Sequence, residues 1–307
     1  MNNLSPAAAD LITIRDFLRY AVSRFRAANL FHGHGATTAL DEAAFILLEA
    51  LSLPIDDINP WLDARLTREE RDRVASLIEM RVATRKPAAY LLNKVYIQGA
   101  PFYVDERVIV PRSFIGELLF ADHVVGGEGA LMPDPAGVET VLDLCTGSGC
   151  LAILAARAFP NARIDAVDLS PDALDVARRN VEDYGLEDRI SLHLGDLFSP
   201  LGERRYDVIL TNPPYVDAET MAMLPDEFRA EPEMALAGGA DGFDVVRRIL
   251  NDAPRHLNAN AGLLCEIGTD RDVLDAEYGE LPFLWLDSVE SEGEVFWLAA
   301  KDFPSSR

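Results

Sequence analysis

A chain of 307 residues, 49% hydrophobic and 26% charged, has ordinary globular composition and room for two domains. Its net charge of −23 lies almost wholly in residues 91–307, where 17 Lys and Arg face 39 Asp and Glu, a balance of −22; residues 1–90 hold 11 and 12. Such an acidic body repels phosphate backbones and attracts basic partners, which weighs against a DNA- or RNA-binding protein; solubility or a salt-adapted source explains the same acidity. The N-terminus has no apolar signal core and no stretch reaches membrane-spanning length. Cys145, Cys150 and Cys265 form no Cys-x-x-Cys pair and no metal-ligand spacing. The expectation is a soluble cytoplasmic protein without a metal, in a reducing compartment.

Residues 10–29 carry Leu11, Ile14, Leu18, Ala21, Val22 and Phe25 at helical spacing, with Arg15, Arg19 and Arg26 on a solvated face. Phe31-His-Gly-His-Gly35 reads as a plain turn, Leu40–Leu51 as a second helix closed by Pro54. Thr67-Arg-Glu-Glu70 is a capping-box start for a third helix. Residues 1–90 are therefore expected to form a helical domain. Residues 91–137 read as a linker: a β-hairpin over Val95–Val110 with its turn at Gln98–Pro101, a helix over Phe114–Val125, and a polar Gly/Pro-rich surface loop over Gly126–Gly137.

From Val138 strands and helices alternate, which predicts a mostly parallel sheet over 138–307. Strands are expected at Val138–Cys145, Arg163–Asp168, Arg189–Leu194, Tyr206–Leu210 and Gly262–Ile267. A last pair is expected at Phe283–Asp287 and Glu294–Ala300, joined by a turn at Ser291–Gly293. Helices are expected at Cys150–Phe159, after an N-cap at Ser170 with Pro171, and at Val245–Leu257.

Two stretches carry chemistry. Asp143-Leu-Cys145-Thr146-Gly147-Ser148-Gly149 stands where a strand hands over to a helix, where glycines let the backbone approach a ligand. Asp168 ends the next strand, placed to accept both hydroxyls of a ribose. This much fits a dinucleotide, but no third glycine follows. Asp143 points to a methionine-type cofactor whose cationic groups suit an acidic loop. Asp196 and Leu197 follow the third strand. The second stretch, Thr211-Asn212-Pro213-Pro214-Tyr215, ends the fourth. Two prolines remove two N–H donors and fix the backbone. Asn212 and the Pro213 carbonyl are then two acceptors beside the Tyr215 ring, a slot for a planar NH2 group: an amide, or the exocyclic amine of a base.

The C-terminal two-thirds resembles class I S-adenosylmethionine-dependent methyltransferases. Asn212-Pro-Pro-Tyr215 with Glu231-Pro-Glu-Met-Ala-Leu-Ala-Gly-Gly-Ala-Asp-Gly242 is similar to the HemK/Prm family of protein glutamine N(5)-methyltransferases, as is Phe102-Tyr-Val-Asp-Glu-Arg-Val-Ile-Val-Pro-Arg112. His32-Gly-His-Gly35, Tyr90-Leu-Leu-Asn-Lys94 and Pro111-Arg-Ser-Phe-Ile-Gly-Glu117 are similar to its PrmB branch. The release-factor branch usually reads Pro-Arg-Pro-(Asp/Glu)-Thr-Glu at the last site, where Ser113-Phe-Ile-Gly116 stands here.

The resemblance implies a Rossmann-like seven-stranded sheet and methyl transfer from S-adenosyl-L-methionine to a glutamine amide. Its substrate would be large-subunit ribosomal protein L-three, free or within a ribosome assembly intermediate. Asn212, Pro213 and Tyr215 are expected to be catalytic, and Asn212 to Tyr215, Pro214 included, to bind the glutamine. Cys145 to Gly149, Asp168, Leu197 and Asn212 would line the cofactor site, with Asp143 and Asp196 on the methionine amine and adenine edge. Residues 1–90 would recognise the substrate protein. The competing readings are a release-factor glutamine methyltransferase, a nucleic-acid amino-methyltransferase and a non-catalytic ribosome-assembly factor. The acidic body disfavours the nucleic-acid reading and the intact glycine loop the non-catalytic one.

Overall fold

The computed structural model describes residues 10–289 and 291–304. Three helices come first: α1 (Ile14–Ala27), α2 (Ala39–Ala50) and α3 (Arg68–Thr84). Each begins at a threonine whose side chain accepts a hydrogen bond from the backbone three residues on, and Thr13 and Thr67 complete capping boxes with Asp16 and Glu70. Phe17, Phe25, Ile46, Leu47 and Ile78 meet in a cluster of their own, and full burial of such side chains contributes about 1.5–3 kcal/mol each. Arg15, Arg19 and Arg26 are exposed on α1. The first nine residues of the expected helical domain lie outside the described residues, as do 305–307 of the last one.

His32-Gly-His-Gly35 is more than a plain turn. His32 Nδ1 lies 2.7 Å from Glu42 Oε2, and buried His34 packs on the Phe228 ring with centroids 4.4 Å apart. Fully buried Arg81 joins the same network, donating to Glu42 Oε1 at 2.8 Å and to the Phe31 carbonyl at 2.9 Å.

A short helix, α4 (Ala88–Leu92), leads into the hairpin of β1 (Val95–Ile97) and β2 (Ala100–Phe102). Its turn is only Gln98–Gly99, both at positive φ, so Ala100 and Pro101 already belong to the returning strand. Arg107–Val110 is not a strand. Its alternation buries Val108 and Val110, but the Val110 N–H donates to Glu231 Oε1 at 2.8 Å rather than to a neighbouring strand. The expected helix over Phe114–Val125 is α5 (Ile115–Leu118) alone. At Phe120 and Ala121 the bonds tighten to the carbonyl three residues back, which ends the α-helix while Leu118, Leu119 and Val124 stay buried.

The sheet is built from β3 (Thr140–Leu144), β4 (Arg163–Asp168), β5 (Ile190–Leu194), β6 (Tyr206–Thr211), β7 (Leu257–Glu266), β8 (Leu284–Leu286) and β9 (Val295–Ala299). Their order is β5-β4-β3-β6-β7-β9-β8, with only β9 antiparallel to its neighbours, so this is a Rossmann-like α/β fold. Along the central strands alternate residues serve two cores. Val141, Val208, Leu210 and Leu264 pack on one face, and Leu142, Leu144, Ile209, Leu263 and Cys265 on the other. Helices α6 (Cys150–Ala158) and α7 (Pro171–Asp183) join the first core; α9 (Asp244–His256) joins the second. Helices α8 (Ala218–Met223) and α10 (Arg271–Glu277) are additions that periodicity did not disclose, since six or seven residues give too few turns for a stripe.

The chain runs from β3 outward to β5 and then returns to the other side of β3 with β6. That reversal opens a crevice at the carboxyl ends of β3 and β6. Buried Asn180 on α7 ties the linker to the crevice loop: Oδ1 accepts the Tyr103 N–H at 2.8 Å, and Nδ2 donates to the Tyr103 and Ser148 carbonyls at 3.0 and 2.8 Å. Asn180→Ala would orphan three backbone groups and is expected to cost about 1–3 kcal/mol. A lowered urea midpoint with unchanged m-value is the predicted result, and an unmoved midpoint contradicts the tie.

Candidate active site

A cavity of about 280 Å³ fills the crevice, near the lower end of the ~300–1,000 Å³ range of small-molecule sites. Its walls come from the ends of four parallel strands: Cys145 and Gly147 after β3, Asp168 on β4, Asp196 and Leu197 after β5, and Asn212 and Pro214 after β6. Val167, Leu169 and Met234 add apolar surface. Cys145 and Leu197 sit at φ 59° and 50°, a region that costs a non-glycine residue on the order of 1–3 kcal/mol. Two such residues on one cavity mark it as a place where backbone shape outranks local comfort.

Asp143, expected beside the methionine amine and adenine edge, does not line the cavity, and its Oδ1 is buried with no hydrogen-bond partner among the described residues. Strand alternation turns it to the Val141 side, toward α6, and it is fully buried. One oxygen, Oδ2, accepts Thr146 Oγ1 at 2.5 Å and the Ala152 N–H at 3.0 Å. Asp143 therefore clamps the glycine loop to the first turn of α6. Burial pushes its carboxyl up to about 7 against those two bonds. Thr146 and Ser148 are likewise buried in the loop rather than lining the cavity. Gly149 is the N-cap of α6 at φ 78°, and a Cβ there would stand 3.2 Å from Ala177 Cβ.

Asp168 faces the cavity. Its Oδ2 accepts the Gly147 N–H at 2.8 Å and its Oδ1 the Ser170 N–H at 2.9 Å. A carboxylate has about four acceptor positions, so capacity remains for two hydroxyls. Burial raises its pKa, with backbone bonds from Ser170, Gly147 and Leu169 opposing. Asp196 stands at the rim, paired with Arg248 Nη2 at 2.7 Å.

At the end of β6 the Thr211 hydroxyl donates to the Leu144 carbonyl at 3.1 Å and pins β6 to β3 beyond the ladder. Beside it, Asn212 Oδ1 is buried and has no hydrogen-bond partner among the described residues. Such an orphan in a native fold calls for a ligand or a functional explanation. Tyr215 is held from two sides. Its hydroxyl donates to Glu266 Oε1 at 3.1 Å, and a Cβ on Gly268 would stand 3.0 Å from its ring. The backbone of the turn is gripped by the 236–242 stretch. Val216 N–H donates to the Leu236 carbonyl at 2.9 Å and Gly238 N–H returns to the Val216 carbonyl at 2.8 Å. A Cβ at Gly242 would meet the Tyr215 carbonyl oxygen at 2.4 Å.

Several site residues had no role assigned from sequence. Arg107, Val108 and Ile109 form one cavity wall, and Pro232, Met234 and Ala235 another. Arg112 and Glu231 lock these walls together with a two-pronged pair, Nη1–Oε1 2.7 Å and Nη2–Oε2 2.9 Å. His34 Nε2 lies 3.5 Å from Glu231 Oε2, an electrostatic contact rather than a short bond. The neighbouring Glu227 takes Arg85 Nη2 at 2.8 Å and the Phe31 N–H at 2.9 Å. The helical part of the chain thus reaches the same segment that walls the cavity. Both Arg112 and Glu231 lie inside motifs legible in the sequence, but their pairing across 119 residues has no local signal.

Burial pushes the Glu231 pKa up, while the nearby His34 ring and the Arg112 bonds and charge outweigh it and hold it at about 2, below the ordinary 4.5. A depressed pKa makes this contribution complete above about pH 4.5 and lost as pH falls toward 2. Arg112→Met would leave a buried carboxylate short of its main partner and is expected to cost about 3–5 kcal/mol. Urea titrations between pH 5 and 2.5 should show the unmodified protein losing this increment and the variant lacking it. Equal acid sensitivity in the two proteins contradicts the assignment.

The family model described as methyltransferase small domain matches residues 130–240. The ribosomal protein uL3 glutamine methyltransferase of Bradyrhizobium diazoefficiens is 60% identical over 296 residues, spanning 95% of this chain and 92% of its own. The proteins of the same name from Burkholderia pseudomallei and Neisseria meningitidis serogroup B are 53% and 54% identical, over 95% of this chain and 96% and 94% of theirs. A likeness that runs the length of both chains, with the crevice and the Asn-Pro-Pro-Tyr turn inside it, makes this chain a member of the ribosomal protein uL3 glutamine methyltransferase family.

Proposed function

We propose that the protein transfers a methyl group from S-adenosyl-L-methionine to the side-chain amide nitrogen of a glutamine in ribosomal protein uL3, the large-subunit protein L-three. The observation that carries the chemistry is the orphaned Asn212 Oδ1, a buried acceptor at the cavity. The substrate follows from the full-length likeness to the uL3 enzymes. Two carboxylates among apolar walls suit a cationic nucleoside: Asp168 would hold the ribose and Asp196 a polar edge, with Val167, Leu169, Leu197 and Met234 around the flat base. When bound, S-adenosyl-L-methionine supplies an activated methyl group on a positively charged sulfur.

The chain's own residues solve the harder half of the problem. An amide nitrogen is a poor nucleophile because its lone pair is shared with the carbonyl. No side chain is basic enough to deprotonate it outright. Asn212 Oδ1 and the Pro213 carbonyl accept its two hydrogens, which raises electron density on nitrogen and fixes its direction. Tyr215, whose hydroxyl is already committed to Glu266, frames the amide plane. Placing two reactants in attack geometry is worth on the order of 7–11 kcal/mol. Once alkylated, nitrogen releases a proton readily, so no dedicated base is needed. Phe31 and Arg85 grip Glu227 beside the cavity wall, and the helical residues 1–90 are assigned to recognising the substrate protein.

Asn212→Ala is expected to cut turnover about a hundredfold or more, the scale of one preorganised transition-state contact, with stability not reduced. Near-normal turnover contradicts the amide slot. Asp168→Ala should weaken cofactor binding by about 1.5–3 kcal/mol in calorimetry; unchanged affinity removes Asp168 from the ribose. The function itself is tested by methyl transfer to purified uL3 and to a release factor over a salt series. A ribosomal protein that neutralises RNA phosphates is basic, so the acidic body should steer it in, faster at low salt. Preference for the release factor contradicts the uL3 assignment, and transfer only to nucleic acid contradicts the glutamine chemistry.

A further inference from the structure

Glu266 ends β7 inside the sheet, fully buried and off the cavity wall. Three donors from two other parts of the chain converge on it. Ser113 Oγ lies 2.6 Å and the Phe114 N–H 3.0 Å from Oε2, and the Tyr215 hydroxyl 3.1 Å from Oε1. Two residues on, Gly268 sits at φ 71° against the Tyr215 ring, where a Cβ would stand 3.0 Å away, tighter than ordinary contact. Ser113 stands where the release-factor branch usually has proline, which could donate nothing.

We infer that Glu266 is a positioning residue for the transfer, acting through Tyr215: its carboxylate fixes the phenol hydroxyl and so holds the ring beside the amide slot. This rests on the proposed glutamine chemistry and adds to it a residue that touches neither cofactor nor amide.

The donor count favours the ionised form. The Phe114 N–H cannot turn into an acceptor, and the Ser113 hydroxyl is aimed at the same oxygen. A proton on the carboxyl therefore settles on Oε1, where it opposes the Tyr215 hydrogen. The bond must then reverse and loses the extra strength that a charged acceptor gives, roughly half. Burial pushes the Glu266 pKa up to about 7 against the three bonds, and Glu294 ahead of β9 adds a like charge. The other ionisable neighbours do not compete. Burial and the nearby carboxylate raise the Cys265 thiol and Tyr215 phenol pKa well above their ordinary values, and Arg112 is the cation facing Tyr215. Turnover should rise with pH through about 7 as Glu266 ionises.

The test uses the full-length protein in two arms. In the first, Glu266→Gln, Tyr215→Phe and the double variant are assayed on uL3 across pH 5.5–9. Glu266→Gln is expected to lower kcat about tenfold at high pH, to abolish the rise near 7, and to leave KM and cofactor affinity unchanged. The double variant should be no worse than Tyr215→Phe, because the two residues act as a unit. In the second arm the protein carries 3-fluorotyrosine, and the Tyr215 resonance is identified by its loss in Tyr215→Phe. That signal should titrate near pH 7 and stop doing so in Glu266→Gln. If Glu266→Gln fails to fold, Ser113→Ala serves instead, with one donor removed and both midpoints moved to higher pH. Multiplicative losses in the double variant, an unchanged kcat, or a Tyr215 signal blind to Glu266 each overturn the inference. Absence of transfer to uL3 by the unmodified protein counts against the substrate, and the fluorine titration then still decides the coupling.

Discussion

The structure depends on a strand that is made to stop. β6 is buried between β3 and β7, and at Pro213–Pro214 it loses the donors that would extend the ladder. What is left at its end is an asparagine oxygen, buried and unpaired. An amide acceptor without a donor costs about 1–3 kcal/mol in an apolar setting. The fold holds it in place because everything around the turn is over-determined. Thr211 is pinned to β3, Gly238 and Gly242 press on the Tyr215 backbone, and Gly268 on its ring. On the proposed reading, a substrate amide that brings two hydrogens would remove the penalty as it binds. Attraction and orientation are then the same event.

Buried carboxylates around this turn divide by what they are given. Glu231 has a two-pronged guanidinium and is held strongly acidic; it fastens two cavity walls. Asp143 has a hydroxyl and one amide and no cation, and burial wins; it fastens the glycine loop to α6. Glu266 has two hydroxyls and one amide and again no cation; it fastens Tyr215. Asp168 alone of the four faces the cavity with acceptor capacity to spare. Position on the sheet decides these fates. Alternation sends Asp143 to the helix side, while Asp168, at the last position of β4, meets the crevice.

Much of this was legible in the sequence because it is local. The Thr67 capping box, the Ser170-Pro171 helix start and the alternation of strands with helices place many elements within a residue or two of where they stand, although the first helix starts four residues later than expected and β7 five residues earlier. The glycine loop and the Asn-Pro-Pro-Tyr turn announce a crevice because strand ends followed by glycine or proline have few other uses. What stayed hidden is what depends on distant partners. Arg107–Val110 has the pattern of a strand, yet its amide goes to Glu231 far along the chain. Asp143 has the spacing of a ligand, and strand parity turns its side chain toward α6. His34, Arg112, Glu231 and Glu266 each look unremarkable alone, and their meaning lies in who they meet.

The central claim is that Asn212 Oδ1 and the Pro213 carbonyl receive the two hydrogens of a glutamine amide. It is tested most directly by a crystal structure of the protein with demethylated cofactor and a glutamine-bearing peptide of uL3. The account predicts the amide nitrogen within hydrogen-bond reach, about 2.7–3.2 Å, of both oxygens, with its plane against Tyr215. A glutamine bound with its carbonyl oxygen toward Asn212, or an Asn212 occupied by the cofactor alone, would contradict it.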